Sequence, residues 1–196
     1  GRLYARALAL QADWAEVQHR AGIVQIMQGD GSGGGPRLRR AAELEPSNLE
    51  YGVHAEGWAA LARDRNDASP AARSLREYLV VSHRQAAGVL AKRGRTEEAV
   101  LQLRKAVELD PDRADLQEEI GITLASLGRG GEAMAAFEAA LRRNPGLAAS
   151  HNNLGFLLLQ AGQRDAAMAH FREALRLAPD FELARNNLSQ AVSPRR

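Results

Sequence analysis

The chain has 196 residues, and its 26 basic and 24 acidic side chains leave a net charge of +2, too even for a surface built to bind nucleic acid. It holds no cysteine, which excludes a disulfide framework, a thiolate-ligated zinc or iron–sulfur centre and a cysteine nucleophile. Alanine fills 37 positions while β-branched and aromatic residues are scarce, a helix-forming composition without any apolar run long enough to span a membrane.

In chain order, residues 1–14 match the end of a second helix, with Tyr4 and Ala7 in seam places, so the sequence is expected to open in mid-repeat. Residues 15–48 form a repeat whose middle reads GDGSGGGP, Gly29 to Pro36, a predicted Gly-rich turn. Ser47 and Glu50, three apart, read as a capping box for the next helix. Residues 49–79 form a degenerate unit, three residues short. Ser69-Pro70 marks a helix start there. From that point to Arg93 nothing breaks the helical pattern, so 70–93 is either a pair or one long helix. Residues 80–113, 114–147 and 148–181 are regular units, with Thr96, Asp112 and Asp180 at capping places, and 182–193 is a capping helix that stops at Pro194.

The units are recognised by what recurs. Pro111, Pro145 and Pro179 stand 34 apart, and Pro46 stands 65 before the first of them. Gly94, Gly128 and Gly162 align, as do Ala99, Ala133 and Ala167, then Leu103, Phe137 and Phe171, then Ala106, Ala140 and Ala174. A pair recurs ahead of each glycine, clearest in Ile120-Gly121 and Leu154-Gly155. Each unit reads as two amphipathic helices joined by a Gly turn and closed by Pro, with small residues allowing close approach and Leu or Phe filling the seam. This spacing resembles the tetratricopeptide repeat family. The resemblance implies an all-α solenoid, a right-handed superhelix of antiparallel helix pairs, over 1–196 as a single domain.

Catalytic signatures are missing. Gly29, Gly31 and Gly34 formally satisfy G-x-G-x-x-G, but a dinucleotide site needs a preceding strand, and no Lys-Ser/Thr follows for a P-loop. The reading here is a loop. His19, His54, His83, His151 and His170 fall at no local zinc-ligand spacing such as H-E-x-x-H, so neither metal nor cofactor is expected. G-x-S-x-G and S-x-x-K are absent. Glu97-Glu98 and Glu118-Glu119 are expected on solvated faces near Arg, and Arg37, Arg39, Arg40, Arg142 and Arg143 at helix C-termini, where cations suit the dipole. Trp14 and Trp58 are expected in the core.

The family likeness implies a concave groove lined by first-helix places 2, 5, 6, 9, 12 and 13. Counting units from 80, 114, 148 and 182, place 6 is Gln85, Glu119, Asn153 and Asn187. The segments HNNLG and RNNL are similar to the superhelix of O-linked N-acetylglucosamine transferases, which implies that Asn153 and Asn187 hold the backbone of an extended peptide; the alternative is that they bond locally. Place 9 carries Ile23, Gly88, Ile122 and Phe156, and place 12 carries Ile26, Ala91, Ala125 and Leu159, an apolar floor suited to a protein partner. Arg84 at place 5 suits a peptide carboxylate, but Glu119 stands where a chaperone-tail clamp needs Asn and would repel one.

The expectation is therefore a non-enzymatic scaffold that binds a peptide segment of a partner protein through Arg84, Ile122, Asn153, Phe156 and Asn187, without nucleic-acid binding or membrane insertion. Two alternatives stand beside it: a substrate-presenting arm of a larger enzyme such as a transferase, and self-association into a homo-oligomer through unit 49–79. Arg outnumbers Lys 24 to 2, which suggests a GC-rich bacterial gene and leaves the compartment open, with the cytoplasm favoured.

Overall fold

The computed structural model describes residues 14–193, so the expected half-repeat before Trp14 and the stop at Pro194 lie outside the described residues. Within them the chain forms ten α-helices and no strand: α1 Ala15–Met27, α2 Gly31–Leu44, α3 Leu49–Arg63, α4 Pro70–Lys92, α5 Thr96–Leu109, α6 Ala114–Ser126, α7 Gly130–Arg143, α8 Ala148–Gln160, α9 Arg164–Leu177 and α10 Glu182–Val192. They divide into two compact units, one ending at His83 and the other beginning at Arg84.

In the second unit the recurring residues fall where repeat packing needs them. Ala99, Ala133 and Ala167 are buried, as are Leu103, Phe137 and Phe171 and the alanines 106, 140 and 174. The glycines of the recurring pair face the phenylalanines: a Cβ on Gly121 would lie 2.8 Å from the Phe137 ring, and one on Gly155 2.8 Å from Phe171. Such distances leave no room for a side chain, so the ring of one helix lies on the bare backbone of its partner. Burying each ring fully contributes about 2–3 kcal/mol. Gly94, Gly128 and Gly162 all carry positive φ, near 75°, and make the turns between paired helices. Helix α10 packs on both α9 and α8, as a capping helix does.

The first unit departs from expectation at its Gly-rich segment. Residues 31–36 are helical, not a loop, and only Gly29 takes the positive φ of a turn. Asp30 caps α2: its Oδ1 accepts from the Gly33 amide at 2.8 Å and from the Ser32 hydroxyl at 2.9 Å, which hold its carboxyl below the usual range. Intrinsic propensity opposes a helix here by nearly 1 kcal/mol per glycine. Packing overrides it. The indole of Trp58, on α3, fills the space where side chains at Gly31 and Gly35 would stand, and Gly34 backs onto Ile26 and the Gly22 carbonyl. Both tryptophans depart from the expected core placement: Trp58 is half-buried against those glycines, and Trp14 is exposed at the start of α1.

Residues 70–92 form one 23-residue helix, which answers the alternative left open above. Other units end their second helix at a proline. Thirty-four residues before Pro111 the chain has Glu77, in the run Glu-Tyr-Leu-Val-Val, and nothing removes a backbone donor there. Several caps also shift. Asn48, not Ser47, caps α3, its Oδ1 accepting from the Glu50 amide at 3.2 Å. Arg95, Arg113 and Phe181 occupy the capping places expected for Thr96, Asp112 and Asp180, because α6 and α10 start one residue late and α5 starts at Thr96 itself. Asp112 pairs with Arg143 at 3.1 Å instead.

Gly35→Ala separates the two readings of the Gly-rich segment. In a loop it would be neutral or stabilising by about 0.4–1 kcal/mol. Beneath Trp58 it is expected to destabilise the protein by about 1–3 kcal/mol, read from the urea midpoint.

Candidate functional site

The groove residues sit on α4, α6, α8 and α10 of the second unit, and their neighbours sort them into two sets. Arg84 is engaged. Its Nε donates to Glu119 Oε1 at 2.7 Å, and its Nη1 lies 3.4 Å from Asp115 Oδ2. Asp115 also accepts from Arg113 at 2.8 and 2.7 Å, and the Arg113 guanidinium followed by Arg84 holds its carboxyl below the usual range. All these groups are a third or more exposed, so each pair contributes about 0–1 kcal/mol. Their main effect is to neutralise the cation.

Asn187 is buried and its Nδ2 donates to Asn152 Oδ1 at 2.8 Å, while Asn152 reaches Asn153 Oδ1 at 3.4 Å. The Arg84–Glu119 and Asn152–Asn187 bridges both run from place 5 of one repeat to place 6 of the next, 35 residues on. They are rungs between successive first helices. Asn152, buried at 2% exposure, carries this role and was missed by place counting; the 35-residue offset from Asn187 was the available signal. Ser150 adds another bridge, donating to Glu118 at 2.7 Å, so Glu118-Glu119 face the neighbouring repeats more than open solvent. Glu97 and Glu98 do lie on an exposed face, bound to Arg129 and Arg95.

Place 9 behaves differently. Ile122 is 50% and Phe156 43% exposed, although each sits on a helix whose other large apolar residues are mostly covered. Asn153 is half-buried and lies one turn before Phe156 on α8. The other place-9 residues do not extend the floor: Ile23 is 4% exposed in the first unit, and Gly88 offers bare backbone. The apolar surface is thus narrower than the sequence suggests and centres on Ile122 and Phe156.

Four of the five histidines, none at a local zinc-ligand spacing, are paired in space. In the first unit His19 Nε2 and His54 Nδ1 lie 2.8 Å apart, again 35 residues along the chain. Their exposures are 3% and 2%, with Tyr51 against His19 and Tyr78 against His54 at 4.6 Å between ring centroids. Burial first, then His54 and Arg20, hold His19 down to about 4, and burial lowers His54 too. Glu50 stands one helical turn before His54, and one ligand atom from each of His19, Glu50 and His54 fits within 4.8 Å of the others. In the second unit His151 Nδ1 meets His170 Nδ1 at 2.9 Å while His151 Nε2 meets the Pro145 carbonyl at 3.1 Å. A carbonyl only accepts, so His151 carries its proton on Nε2 and His170 donates from Nδ1. Local motif searches cannot find partners 19 or 35 residues apart.

Comparison with known proteins identifies the repeats. The tetratricopeptide repeat description matches residues 84–148 and again 148–181, together half of the chain. No curated protein matches the sequence. Solved structures do resemble the fold. YrrB, described as a TPR protein with an unusual peptide-binding site, is 19% identical, with a TM-score of 0.53 over 93% of this chain and 96% of its own. The second TPR domain of human RPAP3, in complex with the HSP70 peptide SGPTIEEVD, is 18% identical with a TM-score of 0.58, covering 61% of this chain and 99% of that one. An O-GlcNAc transferase of Thermobaculum terrenum is 23% identical with a TM-score of 0.54, over 60% of this chain but 22% of the transferase.

If Asn187 serves the rung, Asn187→Ala leaves the buried Asn152 oxygen without its donor. It is expected to cost about 1–3 kcal/mol, measured by thermal or urea unfolding.

Proposed function

The chain belongs to the tetratricopeptide repeat family, and from that premise we propose that it is a scaffold that binds a peptide segment of a partner protein along first-helix residues of its second unit, without catalysis of its own. The observation that carries this reading is the exposed pair Ile122 and Phe156, repeated 34 residues apart, with the Asn153 amide one turn from Phe156. An extended segment presents backbone amides and carbonyls at regular intervals, and an Asn side chain both donates to and accepts from them whatever the ligand's side chains. Apolar side chains of the segment then cover Ile122 and Phe156, the sort of exposed aromatic that anchors an interface.

The charge pattern narrows the ligand. Arg84 is bracketed by Glu119 and Asp115, so the site offers an acidic C-terminal tail no uncompensated cation at that point. The inferred segment is therefore apolar and internal, unlike the HSP70 peptide held by the RPAP3 domain. Arg84 takes part through the carboxylates it orients, and Asn187 through the Asn152 that it holds beside Asn153. Among the described residues no helix is long and apolar enough to cross a membrane.

The test is selection from a displayed peptide library with the wild-type chain, followed by titration of the recovered peptides against Asn153→Ala/Phe156→Arg. Both substitutions are on partly exposed side chains, and circular dichroism checks that the helices persist. The double variant is expected to bind at least about tenfold more weakly, the loss of about 1.4 kcal/mol or more that an aromatic anchor supplies. Equal affinity in a folded variant would remove the assignment to this face.

A further inference from the structure

The His19–His54 rung differs from its counterparts in the chemistry of its members. Arg84–Glu119 joins a donor to an acceptor with opposite charge, and Asn152–Asn187 joins amides that each donate and accept. Two neutral imidazoles share a single proton between Nε2 of His19 and Nδ1 of His54, and both atoms are metal ligands once that proton is elsewhere. The third group is Glu50. It lies four residues before His54 on α3, so both side chains leave the same face of that helix, as paired ligands at i and i+4 do in helical zinc motifs.

We propose that His19, Glu50 and His54 form a binding site for one divalent transition-metal ion of the zinc class, clipped between α1 and α3. Imidazole with carboxylate is a donor set suited to zinc, and three protein ligands leave a fourth place for water. Zinc–nitrogen bonds of about 2.0–2.1 Å at a tetrahedral angle set the two nitrogens about 3.3 Å apart. The rings stand at 2.8 Å, so they must part by about half an ångström and turn their lone pairs toward a common point. Glu50 is exposed, and its three side-chain torsions let it swing onto the ion from the solvent side. The proton balance closes. The imidazole that carries the shared proton moves it to its other ring nitrogen, both rings stay neutral, and Glu50 supplies a carboxylate oxygen as the third ligand.

The place suits a clip. Helix α2 contributes little side-chain volume to the first unit, since its buried residues are Gly34, Gly35, Leu38 and Ala41. A bond network through an ion ties α1 directly to α3. Metal binding of this kind is folding energy, because the unfolded chain offers no preformed site.

The experiment uses the full chain stripped by a chelator, titrated with zinc chloride in competition with a chromophoric chelator, and with cobalt(II) for its visible spectrum. The expected result is one zinc per chain, a tetrahedral cobalt spectrum, and a higher unfolding temperature with zinc than without. Glu50→Ala, an exposed substitution that leaves the fold intact, should weaken zinc binding by at least about tenfold, as much as losing an outer-shell partner does. His151→Gln, in the other histidine pair, should bind zinc as the wild type does. The proposal is overturned by the absence of stoichiometric zinc, by equal affinity in Glu50→Ala, or by loss of zinc in His151→Gln alone.

Discussion

In repeats 114–147 and 148–181 the distance between the two helices is set by a bare backbone meeting a large ring, and the other contacts follow from that distance. Gly155 accepts Phe171 and Gly121 accepts Phe137, each so closely that a Cβ would stand 2.8 Å from the ring. With the ring seated, the alanines at 133, 140, 167 and 174 reach full burial, because only a methyl fits the remaining gap. Close packing of this kind has no slack, and the next repeat meets a surface of fixed shape. The first unit applies the same constraint with the roles redistributed. Gly31 and Gly35 of α2 lie under the indole of Trp58 on the following helix, α3.

That redistribution explains what was legible in the sequence. The regular repeats could be read because their seam residues recur every 34 residues in the chemistry that the seam needs: small, large, small. The Gly-rich segment could not, since local propensity for GSGGG points to a loop and the helix exists only because Trp58, more than twenty residues away, fills its empty face. The long helix α4 was legible in part. Its start is written in Ser69-Pro70, but its passage through the expected turn depends on the missing proline at Glu77, an absence that permits a helix without requiring one.

The polar residues were harder to read for a related reason. Place counting assigns a side chain to a face, and places 5 and 6 do lie on the face toward neighbouring first helices. It cannot say whether such a side chain ends in solvent or in the next repeat. Glu119 and Asn187 end in a neighbouring repeat, and so do His19 and His54, all through 35-residue offsets. A 34-residue repeat brings like places together. An offset of one more residue is the distance from one helix to the adjacent flank of its neighbour, so a bridge there always joins unlike places. Two sequence-identical asparagine pairs, 152-153 and 186-187, therefore have members in unequal roles.

The division of labour follows from this geometry. Arg84 with Glu119 and Asn152 with Asn187 take up places 5 and 6 in bridges between repeats, whereas Asn153, also at place 6, bonds only to its neighbour Asn152. Place 9 lies one turn further along each first helix. At Ile122 and Phe156 it carries apolar area that no neighbour covers, although the same two helices bury Ile120, Leu124, Leu154 and Leu158. Leaving Phe156 43% exposed beside an otherwise closed core forgoes about 0.6–1.3 kcal/mol of burial that a partner could supply. The bridges give the first helices a fixed register, and the uncovered side chains are held on that register at a constant 34-residue interval. A repeat protein whose polar rungs were loose would present the same residues at no fixed spacing, and an extended segment could not meet two of them at once.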